Sequence, residues 1–237
     1  MGSSPDMGAF WDERAREDAF FFVDDTQSYR AVDEARFWAE GERVVDVLLG
    51  HLGLALRGDE VALDIGCGLG RLTRALRPRV AHVHAIDVSA EMLRRAQQAN
   101  AHLDGVTWHL GDGTTLQPVA DASVDAILSH VVFQHIPDPE VTYGYVREMG
   151  RVLRPGGWAA FQVSDDPAVH AREHRGGGRL RALLGRAPKG QEDPRWRGSA
   201  VDLDRLRAAA REGDAEVART WGEGTQFCLV RLEKPGP

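Results

Sequence analysis

Cysteine is scarce in this 237-residue chain: Cys67 and Cys228 stand alone and far apart, which excludes a disulfide framework and suits a reducing compartment, the cytoplasm. Long hydrophobic runs are missing. No stretch approaches the roughly 20 apolar residues that cross a bilayer, and the opening M-G-S-S-P-D-M-G-A-F-W-D-E-R-A-R-E-D has no apolar signal region. Excess positive charge is missing too. With 29 Lys and Arg against 36 Asp and Glu, the net charge of -7 disfavours a general phosphate-binding surface, so neither nucleic acid nor membrane is the expected partner.

What is present is globular composition, 43% hydrophobic and 27% charged, at a length suited to one domain. Residues Phe10 to Phe22 and Val32 to Leu54 read as helices, the second placing Phe37, Val44, Val45, Leu48, Leu49 and Leu52 near helical spacing. Strand candidates follow at Glu60 to Ile65, Val83 to Asp87, Val106 to Leu110, Val124 to Leu128 and Trp158 to Ser164. Between them lie a helix from Arg71 to Leu76, one capped by Ser89, and one begun by Pro139 and ended by Arg154-Pro155-Gly156-Gly157. Alternation of this kind implies right-handed crossovers and a parallel sheet covered on both faces. A helix (Asp202 to Arg211) and two strands around Gly222 and Gly224 close the chain as an antiparallel hairpin.

The first strand ends in D-I-G-C-G-L-G, residues 64 to 70. Ligands of open parallel sheets sit beyond the carboxyl ends of the strands, and glycines there let a ligand approach main chain. A dinucleotide fingerprint needs its third glycine five positions after the first; Arg71 stands there instead. Asp87 ends the second strand, G-D-G (Gly111 to Gly113) follows the third, S-H-V-V-F-Q-H-I-P-D (Ser129 to Asp138) the fourth, and L-R-P-G-G (Leu153 to Gly157) precedes the fifth.

These five motifs, in this order over roughly residues 40 to 165, resemble the class I S-adenosylmethionine-dependent methyltransferases of small-molecule type. The resemblance implies an α/β, Rossmann-like, doubly wound seven-stranded sheet, mostly parallel with a C-terminal antiparallel hairpin. It divides the chain into a helical lid (1–54), a cofactor-binding core (55–165), a basic substrate-side insertion (166–200) and a terminal helix and hairpin (201–237). It implies S-adenosylmethionine as cofactor: Gly66, Cys67 and Gly68 border its methionine and sugar, and Asp64 lies near the ammonium. Asp87 accepts from the ribose hydroxyls and Asp112 from the adenine amino group; Val88, Met92 and Gly113 wall the ring, and Ser129 or His130 borders the cofactor from the fourth strand.

A sulfonium is already an activated leaving group, so alignment and exclusion of water carry most of the work. A hydroxyl or ammonium acceptor needs a base, and histidine suits that role; His135 is the first candidate and His130 the second, each with hydrogen bonding to main chain as the alternative. His170-Ala171-Arg172-Glu173-His174 matches a short zinc-site string, but Gly176 to Gly178 follow it and a solvated helix turn is the expectation, with no metal. The N-terminal segment holds Phe10, Trp11, Phe20, Phe21, Phe22, Tyr29 and Trp38, an aromatic set suited to cover an active-site mouth. Residues 169 to 198 hold eight Lys or Arg against three acids, so Arg172, Arg175, Arg179, Arg195 and Arg197 are candidates to attract an anionic acceptor. The reading is methyl transfer to an oxygen or nitrogen of a small molecule, as in specialised metabolism. The alternative is a protein that binds S-adenosylmethionine or S-adenosylhomocysteine without turnover; oligomeric state is not readable.

Overall fold

The computed structural model describes residues 7–171, 188–190 and 192–236. Its centre is a seven-stranded sheet in the order β3-β2-β1-β4-β5-β7-β6. The strands are β1 (Val61–Ile65), β2 (His82–Asp87), β3 (Val106–Leu110), β4 (Val124–Ser129), β5 (Leu153–Val163), β6 (Glu216–Trp221) and β7 (Cys228–Glu233). The first five run parallel, and β7 pairs antiparallel with β5 on one side and β6 on the other. Strand order reverses between β1 and β4, and a crevice opens at such a switch point.

The helices are α1 (Met7–Val23), α2 (Glu34–Leu52), α3 (Arg71–Leu76), α4 (Ala90–Ala99), α5 (Pro139–Val152), α6 (Pro167–Ala171), α7 (Pro194–Arg197) and α8 (Leu203–Glu212). Side chains of a strand alternate between faces, and β1 shows the result. Leu63 and Ile65 enter one core with Ile127, Phe161 and the α5 and α8 residues Val146, Met149 and Leu206. Ala62 enters the other with Ala126, Leu128, Ala160 and the α2 stripe Val44, Val45, Leu48, Leu49 and Leu52. Both faces are covered, so the central strands read as continuous apolar runs rather than alternating ones. The α2 ends are set locally: the Asp33 carboxylate accepts from Arg36 N, and Gly53 closes the helix in the left-handed region.

Two local features depart from the sequence reading. Arg154-Pro155-Gly156-Gly157, expected as the turn that ends a helix, lies inside β5. Gly156 N donates to Lys234 O and Lys234 N to Gly157 O, so these residues pair with the tail of β7, while a register shift between Val124 and Ala126 absorbs the irregularity on β4. The first helix is broken at Asp18, whose backbone is extended; its carboxylate accepts from Phe21 N at 3.2 Å and caps the second half.

α1 crosses the carboxyl ends of the strands. Asp12 pins it there, accepting from Ser89 Oγ at 2.6 Å and from Glu91 N at 3.0 Å at the start of α4. No described helix is long and apolar enough to cross a membrane.

Candidate functional site

A cavity opens at the switch point. Its floor is built by Asp64, Gly66, Cys67, Gly68, Asp87, Val88, Gly111 and Gly113, and its roof by Met7, Trp11, Phe22 and Val23 of α1. Met92, His130, Val131, Val132, Ile136, Val141 and Tyr145 complete the wall.

The floor follows from the turn after β1. Gly66 and Cys67 both donate their N–H groups to Ile86 O, at 2.8 and 3.0 Å, which folds the turn over the end of β2. Gly66 and Gly68 have φ of +70° and +52°, a region that side chains with a Cβ enter at a cost. A Cβ on Gly66 would come within 2.3 Å of Val132, and one on Gly68 within 2.8 Å of Val23. The glycines therefore admit two valines, one from the loop after β4 and one from the lid, and the lid is seated directly on the turn.

Each of the first two strands delivers a carboxylate. Asp64 is 2% exposed and accepts from Thr73 Oγ1 at 2.6 Å; burial pushes its carboxyl up to about 6. Asp87 accepts from Gly68 N and Ser89 N, each at 2.8 Å. Burial raises its pKa also, against these main-chain donors that favour the charged form.

Two buried nitrogens on the cavity wall lack a partner among the described residues, Arg71 Nε and His130 Nδ1. Burial, with Arg71 nearby, lowers the His130 pKa to about 4. Beyond it the β4 loop turns through Val131 at φ +58°, a strained conformation for a β-branched residue, worth about 1–3 kcal/mol. Gln162 of β5 holds it in place: its Oε1 accepts from Val131 N at 2.8 Å, while its Nε2 donates to Gln134 Oε1 and Gln226 O.

Three expected site residues stand off the cavity wall. His135 packs between Trp11 and Trp196, with ring centroids 5.5 and 4.9 Å away. Its Nδ1–H donates to Trp196 O and its Nε2 faces the Gln134 amide, so both nitrogens are engaged; burial lowers its pKa to about 4. Asp112 curls onto its own loop and accepts from Thr114 and Thr115 main-chain and hydroxyl donors. Ser129 is fully buried and donates to Ile65 O at 2.9 Å, tying β4 to the glycine turn. The remaining expected residues, Asp64, Gly66, Cys67, Gly68, Asp87, Val88, Met92, Gly113 and His130, share the one cavity.

Arg172, Arg175, Arg179, Glu173 and His174 lie outside the described residues. His170, the first residue of the zinc-site string, donates from Nδ1 to Arg197 O and pairs through Nε2 with Ser164 Oγ at 2.7 Å. Arg195 is held by Asp193. Arg71, Asp24, Gln162, Ile136, Val141 and Tyr145 were not picked out from sequence. Only Gln162 carried a signal: an amide inside the apolar run W-A-A-F-Q-V must find buried partners.

Residues 63–161 match the methyltransferase domain family. The chain carries a class I S-adenosylmethionine-dependent methyltransferase domain. Malonyl-[acyl-carrier protein] O-methyltransferase of Pectobacterium atrosepticum is 34% identical over 132 residues, 54% of this chain and 46% of that protein. Other curated relatives are matched over 23% to 54% of their own length, so the chain spans about half or less of the curated relatives it matches. Among solved structures, phosphoethanolamine N-methyltransferase 1 of Haemonchus contortus, in complex with phosphoethanolamine and S-adenosylhomocysteine, superposes with a TM-score of 0.67 at 16% identity. It covers 98% of this chain and 48% of that one. The N-methyltransferase NodS of Bradyrhizobium japonicum, in complex with S-adenosylhomocysteine, gives 0.61 at 17% identity and covers 97% and 99%. The sheet order and the antiparallel β7 of the methyltransferase domain are thus those of a methyltransferase fold, and its cofactor is S-adenosylmethionine.

The cavity fits that molecule. A carboxylate ends each of β1 and β2, Val88, Ile136 and Tyr145 supply apolar wall, and the unpartnered nitrogens of Arg71 and His130 supply polar groups in need of a ligand.

Proposed function

We propose that the protein methylates an oxygen or nitrogen of a small molecule. The observation that carries this is the shared cavity: Asp64, Asp87, the glycine turn and Gly113 face one space under an aromatic roof. When bound, the cofactor supplies a methyl group on an activated sulfonium. Asp87 would take the ribose hydroxyls, Asp64 the ammonium, and Val88, Met92 and Gly113 the base. Asp112 would reach the adenine amino group only by releasing Thr114 and Thr115. Asp64 and Asp87 are raised by burial, so the cationic ammonium and the hydroxyl donors return interactions that desolvation removed.

The lid makes the site dry. Val23 and Val132 occupy the space over Gly68 and Gly66, so a ligand that reaches the glycine main chain displaces them and α1 hinges outward, then closes again. His130, neutral at pH 7 and with Nδ1 unpartnered on the cavity wall, is the histidine placed to meet the acceptor; burial lowers its pKa to about 4, so there it accepts a hydrogen bond that orients the acceptor rather than holding a proton. His135 acts as a clamp on the segment carrying Trp196.

The surplus of basic residues from 169 to 198 supports an anionic acceptor, with Arg197, whose Nε has no partner among the described residues, as the described candidate. Two buried, unpaired cysteines suit the cytoplasm. The test is calorimetry with S-adenosylhomocysteine followed by transfer of a labelled methyl to a panel of carboxylate, phenol and amine acceptors. Micromolar binding and labelled product are expected. Binding without transfer to any acceptor favours a sensor of the cofactor, and absence of binding overturns the reading.

A further inference from the structure

Arg71 opens α3 directly after the glycine turn, and its side chain is almost fully withdrawn from water, at 5% exposure. A guanidinium presents five N–H donors in a rigid fork, and burying one incompletely satisfied is costly. Its described partners are few. Arg71 Nη1 lies 3.4 Å from Asp24 Oδ2, the guanidinium stands 5.5 Å from the centre of the Phe37 ring, and Nε has no partner.

Asp24 is itself shared, because it accepts from Thr26 N, Thr26 Oγ1 and Gln27 Nε2. It therefore gives Arg71 one long contact rather than the two parallel bonds that a carboxylate and an arginine form when they meet squarely. On the same wall stands Asp64, a carboxylate whose burial is opposed by Thr73 and by the nearby charge of Arg71. An under-bonded cation and an under-compensated anion on one wall are complementary to a zwitterion.

We propose that Arg71 is the carboxylate anchor of the cavity, binding the carboxylate of an α-amino acid group whose ammonium faces Asp64. This rests on the cofactor reading above and assigns the amino acid end of the cofactor to a residue outside the glycine motif. Asp24 holds the guanidinium in place until the ligand's carboxylate arrives at the free Nε side.

Calorimetry on the full chain tests this with two ligands, S-adenosylhomocysteine and 5′-deoxy-5′-methylthioadenosine, which has the same nucleoside and thioether but no amino acid. Arg71→Gln is expected to weaken S-adenosylhomocysteine by about 10- to 100-fold, the range of a charge-assisted hydrogen bond, while methylthioadenosine changes by less than about twofold. Arg71→Lys recovers part of the loss. An equal loss for both ligands means a structural role and overturns the assignment, as does unchanged S-adenosylhomocysteine affinity. If Arg71→Gln does not fold, the wild-type protein decides: the decarboxylated analogue of S-adenosylhomocysteine binds about 10-fold or more weaker than the parent, and equal affinity overturns the anchor. Failure of wild-type protein to bind either nucleoside sinks the cofactor reading itself, a different result from a ligand-independent effect of Arg71→Gln.

Discussion

The floor and the roof of the cavity meet face to face but are held by different physics. The floor is polar and hydrogen-bonded: Gly66 and Cys67 share Ile86 O, Asp87 accepts from Gly68 and Ser89, and Ser129 bonds Ile65 O. The roof is aromatic. Trp11 and Phe22 of α1, His135 after β4 and Trp196 of α7 come from three separate segments and touch edge to face or tilted, at centroid distances of 4.9 to 6.0 Å. Hydrogen bonds of fixed geometry make a site that does not adapt, while ring contacts worth about 0.5–1.5 kcal/mol each can part and re-form. A rigid floor under a detachable roof is what a cofactor site needs if the ligand must enter and then be sealed from water.

The contrast is most sharply broken at the glycine turn of the floor. Gly66→Ala forces a Cβ against Val132 at a positive φ, and is expected to cost at least about 2 kcal/mol of stability and to abolish S-adenosylhomocysteine binding, read by thermal melting and calorimetry. A melting temperature within error of wild type would show that the floor adapts after all. Next in size, Asp87→Asn removes the charged acceptor shared by Gly68 and Ser89 and should weaken S-adenosylhomocysteine by about 10- to 100-fold, with the fold kept because Ser89 still caps α4.

A truncation in the roof should behave differently. Trp11→Ala removes three ring contacts from a half-buried side chain and is expected to cost about 1–2 kcal/mol. It should speed proteolysis of α1 while leaving cofactor affinity within about fivefold; a loss as large as that of Asp87→Asn would make the roof part of the binding floor.

Titration separates the two regions as well. The folded pKa of Asp64, about 6, lies above its usual 3.8, so stability associated with its protonated form is full below pH 3.8 and is lost as pH rises through 6. Asp64→Asn is accordingly expected to raise the melting temperature at pH 8 while weakening the cofactor. His135 has the opposite sign. Its folded pKa near 4 lies below the ordinary 6.5, so the unfolded chain takes up the proton first and stability falls as pH drops from 6.5 to 4. The smallest expected effect is that the melting temperatures of wild type and His135→Asn converge over that window; parallel curves would place the acid-sensitive group elsewhere, at His84 or His130, whose pKa values are also lowered to about 4.

Much of the floor could be read along the chain because its parts are local. The turn at residues 64 to 70 depends on φ values that glycine permits and a strand end that apolar periodicity marks, and Asp87 and Gly113 follow at strand ends for the same reason. His130 and His135 show where this stops. They sit five positions apart in one motif, yet the 3₁₀ turn at Phe133–His135 sends one ring to the cavity and the other between Trp11 and Trp196. Nothing local distinguishes them. Asp112 is a similar case, since Thr114 and Thr115 beside it hold its carboxylate in this structure.

By itself the amino-acid sequence determined the alternation of strands and helices, the glycine turn and the two strand-end carboxylates, because periodicity, backbone freedom and capping act over a few residues. Tertiary structure alone decided that Val23 and Val132 would seat on Gly68 and Gly66, that Arg71 would be buried with an unbonded nitrogen, and that Trp196 would claim His135. Those outcomes depend on segments distant in the chain competing for the same buried space, and a contact of that kind has no period or spacing to announce it.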